Sequence, residues 1–282
     1  KEAAQELLRF ASQGVEGPQK LVDAGKELIK TNLKGVRDLI GKNGVQPFGL
    51  TEGPGRASGN VLAALVDGFH FTGERKYLSQ AEYLIGRCVH PGEDLSSKRL
   101  DDVNKRWAYT LFLQSVGKYL QAKAELNELD EAFAVARESL LHYADWMVEH
   151  EHSFLSRPEL IDYPNYATRA CTDMRKTNVL LLAAKHAEQD KRSSYLERAW
   201  FFFETSVQDL QELEARTWTR PLALLLQNMQ LPIYATVRPE AFFRAPQCSS
   251  MISRAPGGGL THLINENLRL IRGLFSSRSS TS

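Results

Sequence analysis

Apolar residues recur three and four positions apart through most of this chain, and no stretch alternates apolar with polar residues in the two-residue rhythm of a half-buried strand. That property restricts the chain to an all-α fold. Leu62, Leu65, Val66 and Phe69 fall at i, i+3, i+4 and i+7 in a helix that runs from about Asn60 to a Thr72-Gly73 turn. A second helix follows at once, with Tyr77, Leu78, Ala81, Leu84, Ile85 and Cys88 on one face. A third is expected over Trp107–Ala122 and a fourth from about Asp130 to His150. The fifth ends at His186, and the sixth, begun by Tyr195, runs to about Glu214.

The second helix of each pair begins alike. Tyr77-Leu78 precedes Ala81, Ala132-Phe133 precedes Ala136, and Tyr195-Leu196 precedes Ala199, each time just after a polar turn. Recurrence of this kind points to repeated hairpins, the alternative being an irregular helical bundle. The expected architecture is a stack of antiparallel helical hairpins over residues 43–235. Residues 1–42 hold two polar-rich helical patterns, 2–12 and 18–41, the second opened by Pro18 and closed by Gly41. Glycines 44, 49, 53, 55 and 59 with Pro47 and Pro54 make 43–59 a loop. Residues 236–282 read as a Pro-, Arg- and Gly-rich loop, an amphipathic helix at 260–275 that caps the array, and a disordered SSRSSTS tail.

Bulk properties exclude several functions. The 35 basic and 34 acidic residues are spread throughout and leave a net charge of +1, which gives no footprint for a nucleic-acid partner. Nowhere do 18 apolar residues run together, so no transmembrane span is expected. Cys88, Cys171 and Cys248 stand singly, without the paired spacing of a thiolate metal site. His150-Glu151-His152 lacks the i, i+4 spacing that would put two ligands on one helix face, and Gly257–Gly259 lacks the flanking elements of a phosphate loop. No metal or cofactor is implied. Because the chain opens at Lys1 rather than Met, it is expected to be a processed or excised piece.

The best candidate site is the stretch 157–188. A loop bracketed by Pro158 and Pro164 carries Asp162, Tyr163, Asn165 and Tyr166, then leads through Arg169, Asp173 and Arg175 into an almost wholly apolar helix. Polar groups crowded at one end of a buried helix must pair with one another or serve a ligand, since each left unpartnered costs about 1–3 kcal/mol. The segments leading into the first helix of each pair share a character: Arg56 in the first, Arg106 and Trp107 in the second, Tyr163, Tyr166 and Arg169 in the third, Trp218 and Arg220 in the fourth. If the hairpins stack, these segments meet at one end, where helix N-termini favour oxyanions and hydroxyl-rich ligands. Tyr166, Arg169 and Asp173 are spaced to share one helix face, with Arg169 expected to pair with Asp173.

The hairpin turns with their following helices, FTGERKYLSQAEYLIGRC and AELNELDEAFAVARESLLHYADWM, together with RWAYTLFLQSVGKYL and the Tyr/Asn/Arg segment 163–169, resemble the α/α toroid, or six-hairpin, proteins. Those include many polysaccharide lyases and glycoside hydrolases. The resemblance covers roughly residues 50–235. It implies a cleft lined by the leading segments, with aromatic rings stacked on sugars and Arg, Asn or Tyr contacting uronate or sulfate groups. Only three to four hairpins are present rather than six, and neither an Asn-Asn-His-x-Tyr-type lyase motif nor a following β-sandwich pattern occurs, which suggests an incomplete toroid or a fragment of a longer protein.

For a lyase, Tyr163 or Tyr166 would be the base, with Asn165, Arg169 and Arg106 on the carboxylate, while Arg56, Trp107 and Trp218 would complete the substrate-binding set. A glycoside hydrolase would draw its two carboxylates from Asp173 with Glu52 or Asp162. The expected ligand is an acidic polysaccharide or oligosaccharide. The other reading is a non-catalytic helical-repeat scaffold that binds glycan or a protein partner on its concave face.

Overall fold

The computed structural model describes residues 53–163, 165–214 and 219–243, all within one compact unit, Leu39–Ser249. The helices expected at 2–12 and 18–41, most of the loop before Gly53, the capping helix 260–275 and the tail lie outside the described residues. The described residues are helical, with no strand among them. In chain order they form α1 (Arg56–Thr72), α2 (Lys76–Cys88), α3 (Tyr109–Glu125), α4 (Glu131–His150), α5 (Tyr166–His186), α6 (Gln189–Glu212), α7 (Thr219–Asn228), α8 (Gln230–Val237) and α9 (Pro239–Phe242). Three single 3₁₀ turns, at Ser96–Lys98, Phe154–Ser156 and Pro158–Leu160, punctuate the connections.

Local chemistry sets the helix ends. The Gly55 N–H donates to Ser58 Oγ at 2.9 Å, a back-bond across the first turn that starts α1 at Arg56, four residues before the periodicity alone suggests. At its other end Gly73, at φ 71°, takes the left-handed conformation and donates its N–H to Phe69 O at 2.7 Å. Asp130 caps α4, its carboxylate accepting the Phe133 N–H at 3.0 Å, as the polar turn before Phe133 leads one to expect. Helix α3 starts at Tyr109 rather than Trp107, so Trp107 falls in the turn before the helix. Helix α6 reaches back to Gln189, six residues before Tyr195, because its opening turns are polar and solvent-facing and leave no apolar rhythm to read. Helix α8 runs on to Val237, and Phe242 of α9 packs with 2% of its surface exposed, so ordered helix extends past the boundary expected at 235.

Helix α5 is the centre of the fold. Every residue from Ala167 to Ala184 except Arg169 is buried, and α3, α4, α6, α7 and α8 all pack against it. Such a helix has no solvent face, so its polar residues Asp173, Arg175 and Lys176 are buried along with its apolar ones, and its small residues Ala170, Cys171, Ala183 and Ala184 let its neighbours approach closely. Helices α1, α3, α5 and α7 touch in chain order, and α2, α4 and α6 do likewise.

The approach of α1 to α3 is tight enough to exclude a methyl group. Ser115 Oγ donates to Gly59 O at 2.9 Å, and a Cβ on Gly59 would lie 2.9 Å from the backbone nitrogen of Phe112. Gly86 in α2 has open space around it. Gly59→Ala is therefore expected to destabilise the fold by about 1–3 kcal/mol through overpacking. Gly86→Ala, with no clash, is expected to be neutral or to stabilise by up to about 1 kcal/mol through helix propensity. Urea denaturation of the two variants checks the contrast, and equal effects would mean that α1 and α3 are not in backbone contact.

Candidate functional site

The start of α5 is held by polar contacts between two loops. Asn165 Oδ1 accepts the Thr168 N–H at 3.4 Å and caps the helix. Arg169, one turn in, donates through Nη1 to Val103 O at 2.8 Å and through Nη2 to Asn104 Oδ1 at 3.3 Å. Asn104 in turn donates to Leu160 O at 2.8 Å and accepts the Asp162 N–H at 3.3 Å. The loop before α5 is thereby tied to the loop before α3. On the outer side Tyr163 is 71% exposed and Tyr166, the first residue of α5, 37%. Both phenols face solvent.

Next to this lies a group of guanidiniums around one indole. Trp107, half-buried in the turn before α3, has the Cζ of Arg56 at 5.8 Å and the Cζ of Arg175 at 5.5 Å from its ring centroid. Arg56 is the exposed first residue of α1, and Arg175 is a buried residue of α5 with 7% of its surface accessible. The Nε and Nη1 of Arg175 are both buried without a hydrogen-bond partner. Burial pushes the Arg175 guanidinium down to about 10, and the positive charges of Arg56 and Arg220 press it the same way. Arg220, exposed near the start of α7, also disfavours the charge on Arg169, after burial the largest cause of that lowering. Four arginines from α1, α5 and α7 thus act on one another, and among the described residues no carboxylate pairs with Arg175.

Deeper along α5 the charges are paired. Asp173, wholly buried, accepts the Phe154 N–H on Oδ2 at 2.8 Å and meets Lys176 Nζ with Oδ1 at 2.9 Å. Lys176 also meets Glu151 Oε2 at 2.8 Å and lies 3.9 Å from the centroid of Phe154. Tyr109 donates its hydroxyl to Glu151 Oε1 at 2.5 Å, while Arg198 donates to the Glu151 carbonyl. Burial pushes the Asp173 carboxyl up to about 6 in spite of Lys176, since that one ammonium is shared with a second carboxylate. Burial together with the Glu151 carboxylate holds the Tyr109 phenol well above its ordinary range, so it stays a donor.

Several sequence expectations meet a different geometry here. Asp173 shares α5 with Tyr166 and Arg169, but Arg169 turns to the backbone of Val103 and Asp173 pairs with Lys176, so the expected Arg169–Asp173 ion pair does not form. The reason is burial: a carboxylate with no solvent needs its partner on the same inner face, and Lys176 is one turn away. Asn165 spends its side-chain oxygen on the helix cap. Arg106 is exposed, and its neighbour Trp107 makes the contact with Arg56. Trp218 and Glu52 lie outside the described residues. Glu151 of the His150-Glu151-His152 run is engaged by Lys176 and Tyr109.

Arg175 belongs to the polar stretch that the sequence marks as the candidate site, but the sequence pattern assigns it no role there. Its place in the chain carries a signal all the same: it is one helical turn from Cys171 and from Val179, both of them buried, on a helix face that holds no solvent for a cation. No family model matches the chain, and no curated protein or solved structure matches it either.

The paired cluster has a pH signature. A carboxyl whose pKa rises from 3.8 to about 6 on folding binds its proton more tightly in the native state, so it stabilises the fold below that window and the contribution fades as pH climbs through it. Replacement of Asp173 by Asn removes this dependence while keeping an acceptor for the Phe154 N–H. The difference in melting temperature between Asp173→Asn and wild type should therefore shift in favour of the variant as pH goes from 4 to 7, by up to about 3 kcal/mol in stability at 1.4 kcal/mol per pKa unit. Thermal melts at four pH values suffice, and a difference that stays constant would rule out a raised Asp173 pKa.

Proposed function

We propose that this chain is an α/α-hairpin protein, an incomplete toroid, that recognises an acidic polysaccharide at the end where α1, α3, α5 and α7 begin. The observation that supports this reading is the exposed pair Tyr163 and Tyr166 beside Arg169, at the junction of the loops that precede α3 and α5. Rings held open to solvent on a rigid helix start offer faces for sugar stacking, and nearby guanidiniums offer donors to carboxylate or sulfate. The contacts of α1, α3, α5 and α7 in one series and of α2, α4 and α6 in another support stacked hairpins.

Recognition is the stronger reading than cleavage. Among the acidic groups considered for hydrolysis, Asp173 is enclosed and engaged by Lys176 and the Phe154 amide, where a polysaccharide does not reach. Glu151 and Tyr109 are similarly bound to each other below the surface. A lyase reaction at Tyr166, with Arg169 on the uronate, is the catalytic reading that the exposed phenol supports.

Incubation with a panel of acidic polysaccharides and their neutral counterparts tests both. Binding of the acidic members is expected to weaken as salt rises, and Tyr163→Ala and Tyr166→Ala, both at exposed positions, are each expected to lose about tenfold in affinity, or 1.4 kcal/mol, with little change in melting temperature. Unsaturated-uronate absorbance during incubation marks lyase action, and new reducing ends without that absorbance mark hydrolysis. Equal binding of acidic and neutral glycans, or none, would overturn the proposal.

A further inference from the structure

Among the described residues, the buried cations Lys123 and Lys176 come with acids and Arg175 does not. Lys123, fully buried, has Asp130 at 2.6 Å, Glu82 at 3.0 Å and Glu128 at 3.2 Å. Lys176, 2% exposed, has Glu151 at 2.8 Å and Asp173 at 2.9 Å. Arg175, one residue before it and 7% exposed, has no carboxylate and no acceptor for Nε or Nη1. Its charged surroundings are Arg56 and Arg220, which repel it. An unpaired guanidinium in that position is a standing cost to the fold, several times that of an exposed ion. The indole of Trp107 explains where the planar group lies but leaves the N–H groups at Nε and Nη1 without acceptors.

We propose that Arg175 and Arg56, both against the ring of Trp107, form with the nearby Arg220 an oxyanion seat that takes one sulfate or carboxylate group. The anion supplies what the chain omits: acceptors for the buried N–H groups of Arg175 and negative charge between three like charges. Arg175 provides the fixed contact from within α5, while Arg56 and Arg220 close on the anion from the starts of α1 and α7. Affinity then comes from a site already assembled and destabilised in its empty form, so binding relieves repulsion as well as forming bonds. The seat rests on the acidic-glycan reading only for what carries the anion; a free ion and a glycan-borne group present the same oxygens.

Inorganic sulfate is the probe, titrated into the full chain against chloride at constant ionic strength, with melting temperature and Trp fluorescence as readouts. Wild type is expected to show a saturable rise in melting temperature. Arg175→Lys, which keeps the charge but loses the planar fork, should weaken sulfate at least tenfold, and the exposed Arg56→Ala should weaken it severalfold without unfolding the protein. In chloride alone Arg175→Met is expected to melt at or above wild type, because it removes an unpaired buried charge.

A fall in melting temperature for Arg175→Met with sulfate binding retained, or an equal sulfate response in wild type and Arg175→Lys, overturns the seat. So does the absence of any saturable response. A sulfated oligosaccharide, its desulfated form and an oligouronate identify the carrier. If inorganic sulfate binds and none of the three competes, the seat stands and the glycan reading falls. If acidic polysaccharides bind Arg175→Lys as tightly as wild type, the glycan reading stands and the seat falls.

Discussion

Helix α5 is covered on every side by its neighbours, and it is not an apolar helix. Asp173, Arg175 and Lys176 fall within one turn of it, all with at most 7% of their surface accessible. A charge taken out of water costs several kcal/mol unless it is paired and hydrogen-bonded, so the packing around α5 has to be built to supply partners. Much of the surrounding structure follows from that demand. The chain after α4 turns back so that Glu151, the His152 carbonyl and the Phe154 amide all reach the Asp173–Lys176 pair. Tyr109, the first residue of α3, meets the same carboxylate from the opposite side.

The same constraint recurs between α2, α3 and α4. Lys123 is buried near the end of α3, and Glu82 on α2 with Glu128 and Asp130 in the following turn surround it. Asp130 has two tasks there, since its other oxygen caps α4 at Phe133. Two buried lysines thus act as pins between a helix pair and its neighbour, each requiring acids from more than one element. Removal of a single partner leaves the lysine short of charge, so these clusters specify how the helices meet more than they add to net stability.

The helices themselves were legible because they are amphipathic, and amphipathic helices write their buried face into the order of residues. Leu62, Leu65 and Val66 on α1 and Tyr77, Leu78 and Ala81 on α2 are buried where the three- and four-residue spacing puts them. Helix starts were less legible where the first turn is polar, as in α6, or where a back-bond such as Gly55 to Ser58 sets the start. The candidate site was legible in part. Arg56, Trp107 and Arg169 were named from a shared pattern, and Arg56 and Trp107 are in contact. The Arg169–Asp173 pair was misjudged because spacing says which residues share a face and is silent on which face is dry. Arg175 has no assigned role in the sequence for the same reason: its position suggests burial, and the packing shows that no carboxylate among the described residues comes to it.

The contrast between the lysines and Arg175 carries an argument about how a site is separated from a scaffold. Where the fold needs a buried cation for itself, it brings two or three carboxylates to it, as at Lys123 and Lys176. At Arg175 it brings Arg56 and Arg220 instead. These come from the starts of α1 and α7, far apart in the chain, and meet Arg175 only because α1, α3, α5 and α7 touch in series. A charge cluster of one sign therefore exists only in the assembled fold, since in the unfolded chain the three arginines are apart and screened. Repulsion among them opposes the folded state, whereas at the lysines each positive charge is offset by carboxylates. The apolar core around α5 is what stabilises a fold in which these guanidiniums lie close together with no carboxylate among the described residues at Arg175, a cost that the paired lysines do not carry.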